Sequence, residues 1–210
     1  MPEADPFAKL KTADPFLIKK WDHAFTIFFD INKDGNLEWN DFEELIGKIK
    51  QFRGQKTPGY DKAVETMKTI WKTLSSVADI NSDNKVSPDE WKHMWLEHKA
   101  DNTWQKAYLE YMYTLFDISG DGVVDMSEYV EVMGYYGIDR KQASWAFDKF
   151  AVGKDGEPQY SINYEQFCQY WKDFFQSTDK KLPGNYLFGD VLGEYDPEKI
   201  PDSVMIERND

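Results

Sequence analysis

Apolar side chains recur at intervals of three and four residues through most of the chain, which is the spacing of one face of an α-helix. Such stretches come in pairs, with a short polar segment between the two members of each pair. In the first pair the apolar positions before the polar segment are Trp21, Phe25, Phe28 and Phe29, and those after it are Phe42, Leu45, Ile46, Ile49 and Phe52. The pattern predicts an all-α protein built from helix–loop–helix units.

Three of the polar segments, residues 30–41, 79–90 and 117–128, share one twelve-residue pattern. Each begins with Asp-Ile, has oxygen-bearing side chains at positions 3 and 5, an aliphatic residue at position 8 and a carboxylate at position 12. A Ca²⁺ ion takes six to eight oxygen ligands, and an EF-hand loop supplies them from positions of this spacing. One such loop is a weak signal, but three in a single chain, each between helical patterns, predict three calcium sites.

The candidate ligands are the side chains at positions 1, 3, 5 and 12 and the backbone carbonyl at position 7. In the first loop they are Asp30, Asn32, Asp34, Asn36 and Asp41. In the second loop they are Asp79, Asn81, Asp83, Lys85 and Glu90. In the third loop they are Asp117, Ser119, Asp121, Val123 and Glu128.

The turn at position 6 and the start of the exiting helix also have characteristic residues in these loops. Position 6 of such a loop requires a positive φ, which Gly35 and Gly122 adopt freely and Asn84 adopts at modest cost. Ser87 and Glu90 have the spacing of a capping box, so the second loop is expected to start its own exiting helix.

The first loop differs from the other two at position 12. Asp41 is one methylene shorter than glutamate and is expected to bind an ion through a single oxygen. Such a shell favours six ligands, the number that Mg²⁺ requires. The sequence therefore predicts that Mg²⁺ competes with Ca²⁺ at the first loop.

A fourth, altered loop is expected at about residues 155–166, at the same spacing as that between the second and third loops. Its register places Tyr160 at the position that needs a positive φ, where we expect strain. It also places neutral Gln166 where the closing carboxylate should lie. The fourth unit is therefore predicted to keep its helices and to bind no metal.

The aliphatic residues at position 8 predict how the loops pair. Two neighbouring loops are expected to form a short antiparallel bridge, which would pair Leu37 with Val86 and Val124 with Ile162. The predicted fold is thus four EF-hand units in two pairs forming one compact body, with the fourth loop degenerate.

The predicted organisation of the chain follows from these pairs. Its parts are a mobile N-terminal segment at 1–14, the first pair at 15–100, the second pair at 101–177, and a C-terminal segment at 178–210 that packs back onto the body and ends in a loose tail.

Composition and charge disfavour several classes of protein and of partner. The net charge is −13, with 38 acidic residues against 25 Lys and Arg, which disfavours nucleic acid and anionic membranes as partners. Aromatic residues make up 16% of the chain, which disfavours a disordered protein. Cys168 is the single cysteine and cannot form an internal disulfide. With neither an export signal nor a membrane-spanning stretch in the sequence, we expect a cytoplasmic monomer.

Catalytic chemistry has no support in the sequence. The three histidines, His23, His93 and His98, do not have the spacing of a zinc site. No arrangement typical of a nucleophile with its base is present either. We therefore expect that the protein is not an enzyme.

The three loops, the altered fourth loop, the motif Asp89-Glu-Trp-Lys-His-Met-Trp95 and the terminal Asn185-Tyr-Leu-Phe-Gly189 together resemble the invertebrate sarcoplasmic calcium-binding proteins, and among them the calexcitin-like proteins. The resemblance implies a compact helical protein that buffers calcium or, as calexcitin does, takes part in neuronal calcium signalling. GTP binding is not carried over, because the sequence has no Gly-x-x-x-x-Gly-Lys-Ser/Thr motif.

The sequence is compatible with three uses of calcium binding. A buffer holds and releases ions without a partner, whereas a sensor exposes an apolar groove for a protein target when its sites fill. The chain has 7 Met against 8 Trp, 12 Tyr and 14 Phe, which favours a rigid core over the flexible Met-rich groove of a promiscuous sensor. The third possibility is a small-molecule carrier with an aromatic-lined cavity, as in the luciferin-binding photoproteins.

Overall fold

The computed structural model describes residues 5–53, 58–97, 103–153 and 155–200 of the 210-residue chain. Contacts within the chain divide it into two units, Met1–Tyr111 and Met112–Asp210, and each is described by itself. The predicted boundary between residues 100 and 101 and most of the predicted tail, from residue 201 on, lie outside the described residues. No helix in the described ranges is long and apolar enough to cross a membrane.

The described secondary structure of the first unit is helical, apart from one isolated β-bridge between its two loops. Its elements are α1 (Pro15–Ala24), a π-helical turn (Phe25–Phe29), α2 (Trp39–Arg53), α3 (Pro58–Ala78), α4 (Pro88–Glu97) and the first part of α5 (Thr103–Phe116). Helix α1 begins where the sequence favours it, because the Asp14 side chain accepts hydrogen bonds from the N–H groups of Phe16 and Leu17 and Pro15 occupies the first helical position.

The core of this unit is a cluster of aromatic rings. The Phe29 ring lies with its centroid 4.5 Å from Trp91 and 4.5 Å from Tyr108. Trp91 is fully buried, and its indole N–H donates a 2.9 Å hydrogen bond to the carbonyl of Trp21, so α4 is tied to α1. Tryptophan is the side chain with the largest apolar area, and the partner for its N–H removes the penalty of burying that group.

Residues 5–14 belong to the predicted mobile segment, and part of this stretch contacts α4. Residues 8–12 form a 3₁₀ helix beside α4. The Phe7 ring meets His93 edge to face at 5.9 Å, and the Lys9 ammonium lies 2.8 Å from the Glu97 carboxylate. The polar composition of this segment does not indicate that Phe7 packs against α4 or that Lys9 pairs with a carboxylate on that helix. Residues 1–4 lie outside the described range.

The second unit contains the rest of α5 and five further elements. They are β1 (Val123–Asp125), α6 (Met126–Tyr135), α7 (Arg140–Phe150), β2 (Ser161–Asn163) and α8 (Tyr164–Gln176). Its centre is again aromatic: Phe116 stacks on Tyr129 at 5.3 Å, and Tyr129 contacts Phe147 and Phe150. These rings come from α5, α6 and α7, so burying them fixes the three helices against one another.

The C-terminal segment packs into the same unit. Leu187, Phe188 and Val191 are each no more than 2% exposed, and the Tyr129 hydroxyl donates a 3.0 Å hydrogen bond to the Leu187 carbonyl. Gly184 lies directly against α8, where a Cβ would meet the Tyr170 carbonyl at 2.6 Å. The close approach of the two backbones is possible because residue 184 has no side chain.

Candidate metal centres

In the first loop, backbone N–H groups hold the side chains at positions 1, 3 and 5. The Asp30 carboxylate accepts hydrogen bonds of 3.1 Å from the N–H groups of Asp34 and Gly35. Asn32 Oδ1 accepts from Asp34 N at 2.8 Å, and Asp34 Oδ1 accepts from Asn36 N at 2.9 Å. These bonds fix each oxygen-bearing side chain relative to the backbone of a tight turn.

The second loop repeats this network. Asp79 accepts from the N–H groups of Asp83 and Asn84 at 3.1 and 3.0 Å. The side chains at positions 3 and 5 are in direct contact, with Asn81 Nδ2 3.0 Å from Asp83 Oδ2. The Lys85 N–H donates to Asp83 Oδ1 at 2.9 Å, which leaves the Lys85 carbonyl as the position-7 candidate.

In the third loop the first aspartate bonds to the N–H groups of positions 4 and 6, rather than 5 and 6. Asp117 accepts from the N–H groups of Gly120 and Gly122 at 2.8 and 3.1 Å, and Asp121 accepts from Val123 N at 3.0 Å. Tyr113 reaches this loop from α5, and its hydroxyl donates a 2.6 Å hydrogen bond to the Gly122 carbonyl. Burial and the nearby carboxylates, Asp117 first among them, raise the pKa of the Tyr113 phenol.

The carboxylates at position 12 connect the two ends of each loop. Asp41 accepts from Ile31 N and Glu38 N, both at 2.9 Å. Glu90 accepts from Ile80 N at 3.0 Å and Ser87 N at 2.9 Å.

Glu128 closes the third loop in the same way, accepting from Ser119 N at 2.8 Å and Asp125 N at 3.1 Å. At the second loop, Glu90 N also donates to Ser87 Oγ, which is the predicted capping box. The three loops thus share one closure, although Asp41 is a shorter side chain.

The backbone confirms the special conformation at position 6 and adds a second one. Asn84 has φ +65°, and Gly35 and Gly122 both have φ +87°. Position 4 is also left-handed, with φ +63° at Lys33 and +60° at Ser82. Sequence reasoning missed this position, because lysine and serine carry no signal for a positive φ and the hydrogen bonds of the loop impose it.

Burial affects the pKa of Asp41, the carboxylate at position 12 of the first loop. It is 1% exposed, and this burial raises the pKa of the Asp41 carboxyl above its ordinary value. Three backbone N–H donors oppose the shift, and the negative charge of Asp30 adds to it. Ionisation of Asp41 is therefore less favourable than in water, and a bound cation would offset this cost.

The fourth loop is built differently from the predicted register. Thirteen residues, 151–163, connect α7 to α8, whereas nine, 117–125, connect α5 to α6. The hydrogen bond from Val152 N to the Phe150 carbonyl corresponds to that from Ile118 N to Phe116, so Ala151 occupies the place of the first aspartate. The loop lacks a carboxylate there and carries four extra residues.

The prediction of a strained backbone at Tyr160 is wrong. Among the described non-glycine residues, φ is positive at Lys33, Ser82 and Asn84 alone, so Tyr160 has an ordinary backbone conformation. The left-handed turn of this loop is at Gly156, with φ +83°. Tyr160 itself is 79% exposed.

The predicted pairing of loops is present in both units. Leu37 and Val86 exchange hydrogen bonds of 2.9 and 2.8 Å. In the second unit β1 and β2 form a three-residue antiparallel ladder in which Val124 lies opposite Ile162. Beside the first bridge, the Lys85 ammonium of the second loop lies 3.2 Å from the Glu38 carboxylate of the first loop.

The donor set of the three loops fits a hard divalent cation. It consists of carboxylate, amide, hydroxyl and carbonyl oxygens, and calcium and magnesium prefer oxygen ligands. Over the described ranges, no three His, Cys, Asp or Glu side chains gather into a compact cluster. The carboxylates of each loop are instead held by their own backbone N–H groups, with those at positions 1 and 12 bonded to different parts of the turn.

Helix–loop–helix units with these oxygen positions, paired through a short β-bridge, define an EF-hand calcium-binding protein. A family model described as EF hand matches residues 76–95, which contain the second loop. The chain is 36% identical over 187 residues to Calexcitin-1 of Caenorhabditis elegans, an alignment that covers 88% of this chain and 92% of that protein. It is 33% identical over 123 residues to sarcoplasmic calcium-binding proteins I, III and IV of Branchiostoma lanceolatum, covering 54% of this chain and 66% of that protein.

The fold agrees with these relatives. The solved structure of a sarcoplasmic calcium-binding protein from amphioxus matches with a TM-score of 0.70 at 22% identity, over 83% of this chain and 97% of that one. The chain belongs to the family of calexcitins and sarcoplasmic calcium-binding proteins. The family resemblance in the loops and aromatic motifs is thereby confirmed.

The Lys85–Glu38 ion pair yields a first prediction. Glu38 raises the pKa of the Lys85 ammonium, and Asp34 and Asp83 act in the same direction. Lys85→Met removes a positive charge beside the acidic loops and keeps the backbone carbonyl. We expect the calcium affinity of the first pair of loops to rise by less than about fivefold at low ionic strength and the gain to shrink in high salt.

Calcium titration at two salt concentrations measures this effect. The matched control is Lys68→Met, which removes an ammonium paired with Glu65 on α3. A gain that is equal in both variants, or one that does not depend on salt, would contradict the prediction.

Proposed function

We propose that this protein binds three calcium ions, one in each of the loops 30–41, 79–90 and 117–128, and acts as a calcium buffer. The observation that carries the proposal is the shared hydrogen-bond network of these loops. In each of them backbone N–H groups hold the carboxylates at positions 1 and 12. The fourth loop has an alanine, Ala151, in place of the first of these carboxylates.

The proposed ligands are those that the loop pattern predicts. For the first ion they are Asp30, Asn32, Asp34, Asp41 and the Asn36 carbonyl. For the second they are Asp79, Asn81, Asp83, Glu90 and the Lys85 carbonyl. For the third they are Asp117, Ser119, Asp121, Glu128 and the Val123 carbonyl.

Charge supports binding at these loops. Each loop brings several carboxylates into one short turn, where like charges repel at close range. Three divalent ions would offset part of the net charge of −13. Uptake of ions would therefore also stabilise the folded protein, since an ion that binds the native state alone shifts the folding equilibrium toward it.

A buffer is favoured over a sensor because the apolar surface of the second unit is already covered. Phe188 from the C-terminal segment contacts Trp171 and Phe174 of α8, with ring centroids 5.6 and 5.0 Å away. A sensor must expose such a surface to a target helix when its sites fill. In this unit the chain's own segment occupies it.

Two observations bear on the carrier alternative. Trp91, Trp95 and Trp104 of the first unit pack against one another at centroid distances of 5.5 to 5.9 Å. One cavity in this unit, lined in part by Phe29, Asp41 and Tyr108, has a volume of about 10 Å³. That is room for about one water molecule, and this cavity lends no support to an organic ligand.

The number of ions is the first test of the proposal. Protein stripped with chelator and dialysed should take up three calcium ions at about micromolar free concentrations. Glu128→Gln should remove one of them, because the amide lacks the charge that closes the shell. Isothermal titration calorimetry counts the ions.

Glu157→Gln is the matched control for that count, since it makes the same chemical change in the fourth loop and should leave three ions bound. Retention of three ions in Glu128→Gln, or failure of the unaltered protein to take up calcium, would contradict the proposal.

Selectivity at the first loop is a separate prediction. The single-oxygen closure expected from Asp41 should let millimolar Mg²⁺ compete there, because Mg²⁺ requires six ligands at about 2.0–2.1 Å. Asp41→Glu should strengthen the preference of this loop for calcium. The reciprocal variant, Glu90→Asp, should make the second loop sensitive to Mg²⁺.

Calcium titrations with and without Mg²⁺ compare the two variants with the unaltered chain. Equal sensitivity to Mg²⁺ in all three proteins would show that the length of the side chain at position 12 does not set selectivity.

The buffer proposal itself predicts little exposure of apolar surface. An environment-sensitive apolar dye should show similar fluorescence with calcium-free and calcium-loaded protein. Phe188→Ala should raise dye binding in both states by loosening the C-terminal segment, whereas Tyr164→Ala, at a residue that is 40% exposed, should not. A large gain on calcium addition in the unaltered protein would favour the sensor.

A further inference from the structure

The fourth loop is closed by side-chain hydrogen bonds rather than by a carboxylate and an ion. The Gln166 amide N–H₂ donates to the Gln159 side-chain oxygen. Gln166 Oε1 in turn accepts from Asn163 N at 3.0 Å, as the closing carboxylates of the other loops accept from their own position 9. Counted back from α8, Gln159 and Gln166 are at positions 5 and 12, where the other loops have proposed ligands.

Other bonds hold the remainder of this loop. The Tyr170 hydroxyl donates to the Val152 carbonyl at 3.2 Å, and Gln159 N donates to the Ala151 carbonyl at 2.7 Å. Val152 and Pro158 form a further antiparallel bridge. The described part of the loop therefore has a hydrogen-bond network of its own.

This loop is coupled to the third loop through the sheet. Val123, Val124 and Asp125 pair with Asn163, Ile162 and Ser161 over three residues. In the first unit the two loops meet at a single bridge, between Leu37 and Val86, and both end in a carboxylate at position 12. One partner of the second pair is thus closed by neutral side chains, whereas both partners of the first pair are closed by carboxylates.

We propose that the Gln159–Gln166 hydrogen bond substitutes for a fourth ion and preorganises the loop 117–128 for calcium. Gln159 and Gln166 are positioning residues in this role, since they act through β2 and β1 and do not touch the ion. A site whose partner strand is already ordered loses less conformational entropy on binding and so binds more tightly. The inference rests on the proposed function of the third loop.

The test uses the full-length chain with the first two loops silenced by Asp41→Asn and Glu90→Gln, so that calcium alone serves as the probe of the third loop. In this parent, Gln159→Ala removes the acceptor and leaves the Gln166–Asn163 cap intact. We expect the calcium dissociation constant to rise about five- to tenfold, within the usual range of coupling between sites. Gln159→Glu retains an acceptor oxygen and should keep the parent's affinity or exceed it.

Gln176→Ala is the matched control, because it makes the same change at the exposed end of α8. Amide hydrogen exchange at Val124 and Ile162 in the calcium-free state provides a second readout and should accelerate in Gln159→Ala alone.

The outcomes separate the inference from the proposed function. If Gln159→Ala binds calcium as tightly as Gln176→Ala, the inference is overturned, whether or not amide exchange changes in Gln159→Ala. Equal weakening by Gln159→Glu and Gln159→Ala also overturns it, since the acceptor would then have no role. A parent that takes up no calcium overturns the proposed function of the third loop, and the inference with it.

Discussion

The hydrogen bonds from backbone N–H groups to the carboxylates of each loop are the interactions on which the rest of this molecule depends. Asp30, Asp79 and Asp117 each accept two such bonds from the turn that follows them. Charge-assisted bonds of this kind are about twice as strong as neutral ones, which allows several acids to share a short turn. They also orient the helices, because the turn that carries these donors joins the incoming helix to the exiting one.

The same constraint explains why the two ends of a loop cannot vary independently. Position 12 belongs to the first turn of the exiting helix, where Glu90 and Ser87 form a reciprocal cap. A carboxylate at this point stabilises the helix N-terminus and the loop at once. The fourth loop keeps the cap through Gln166 and Asn163 and dispenses with the charge. The helix start therefore requires a hydrogen-bonding side chain at position 12 but not a charged one.

Much of the fold could be predicted from the sequence, and the failures have physical causes. The spacing of oxygen-bearing residues identifies the three loops because chelation fixes that spacing along the chain. The bridges at Leu37 and Val124 follow from the aliphatic residue that each loop has at position 8. The fourth loop begins at Ala151, four residues before the predicted start at Asp155, and composition does not reveal the four extra residues. The contacts of Phe7 were missed because a single aromatic residue in a polar segment gives no periodic pattern.

Tyr113 illustrates how closely the third loop is joined to its surroundings. Its ring meets Tyr164 and Phe167 of α8, while its hydroxyl bonds to the Gly122 carbonyl inside the loop. Burial first, and then the acids that surround it, make loss of the phenolic proton harder, so the hydroxyl stays a hydrogen-bond donor. One side chain therefore ties the turn of this loop to the packing between α5 and α8, and a shift of either helix would be felt directly at the Gly122 carbonyl.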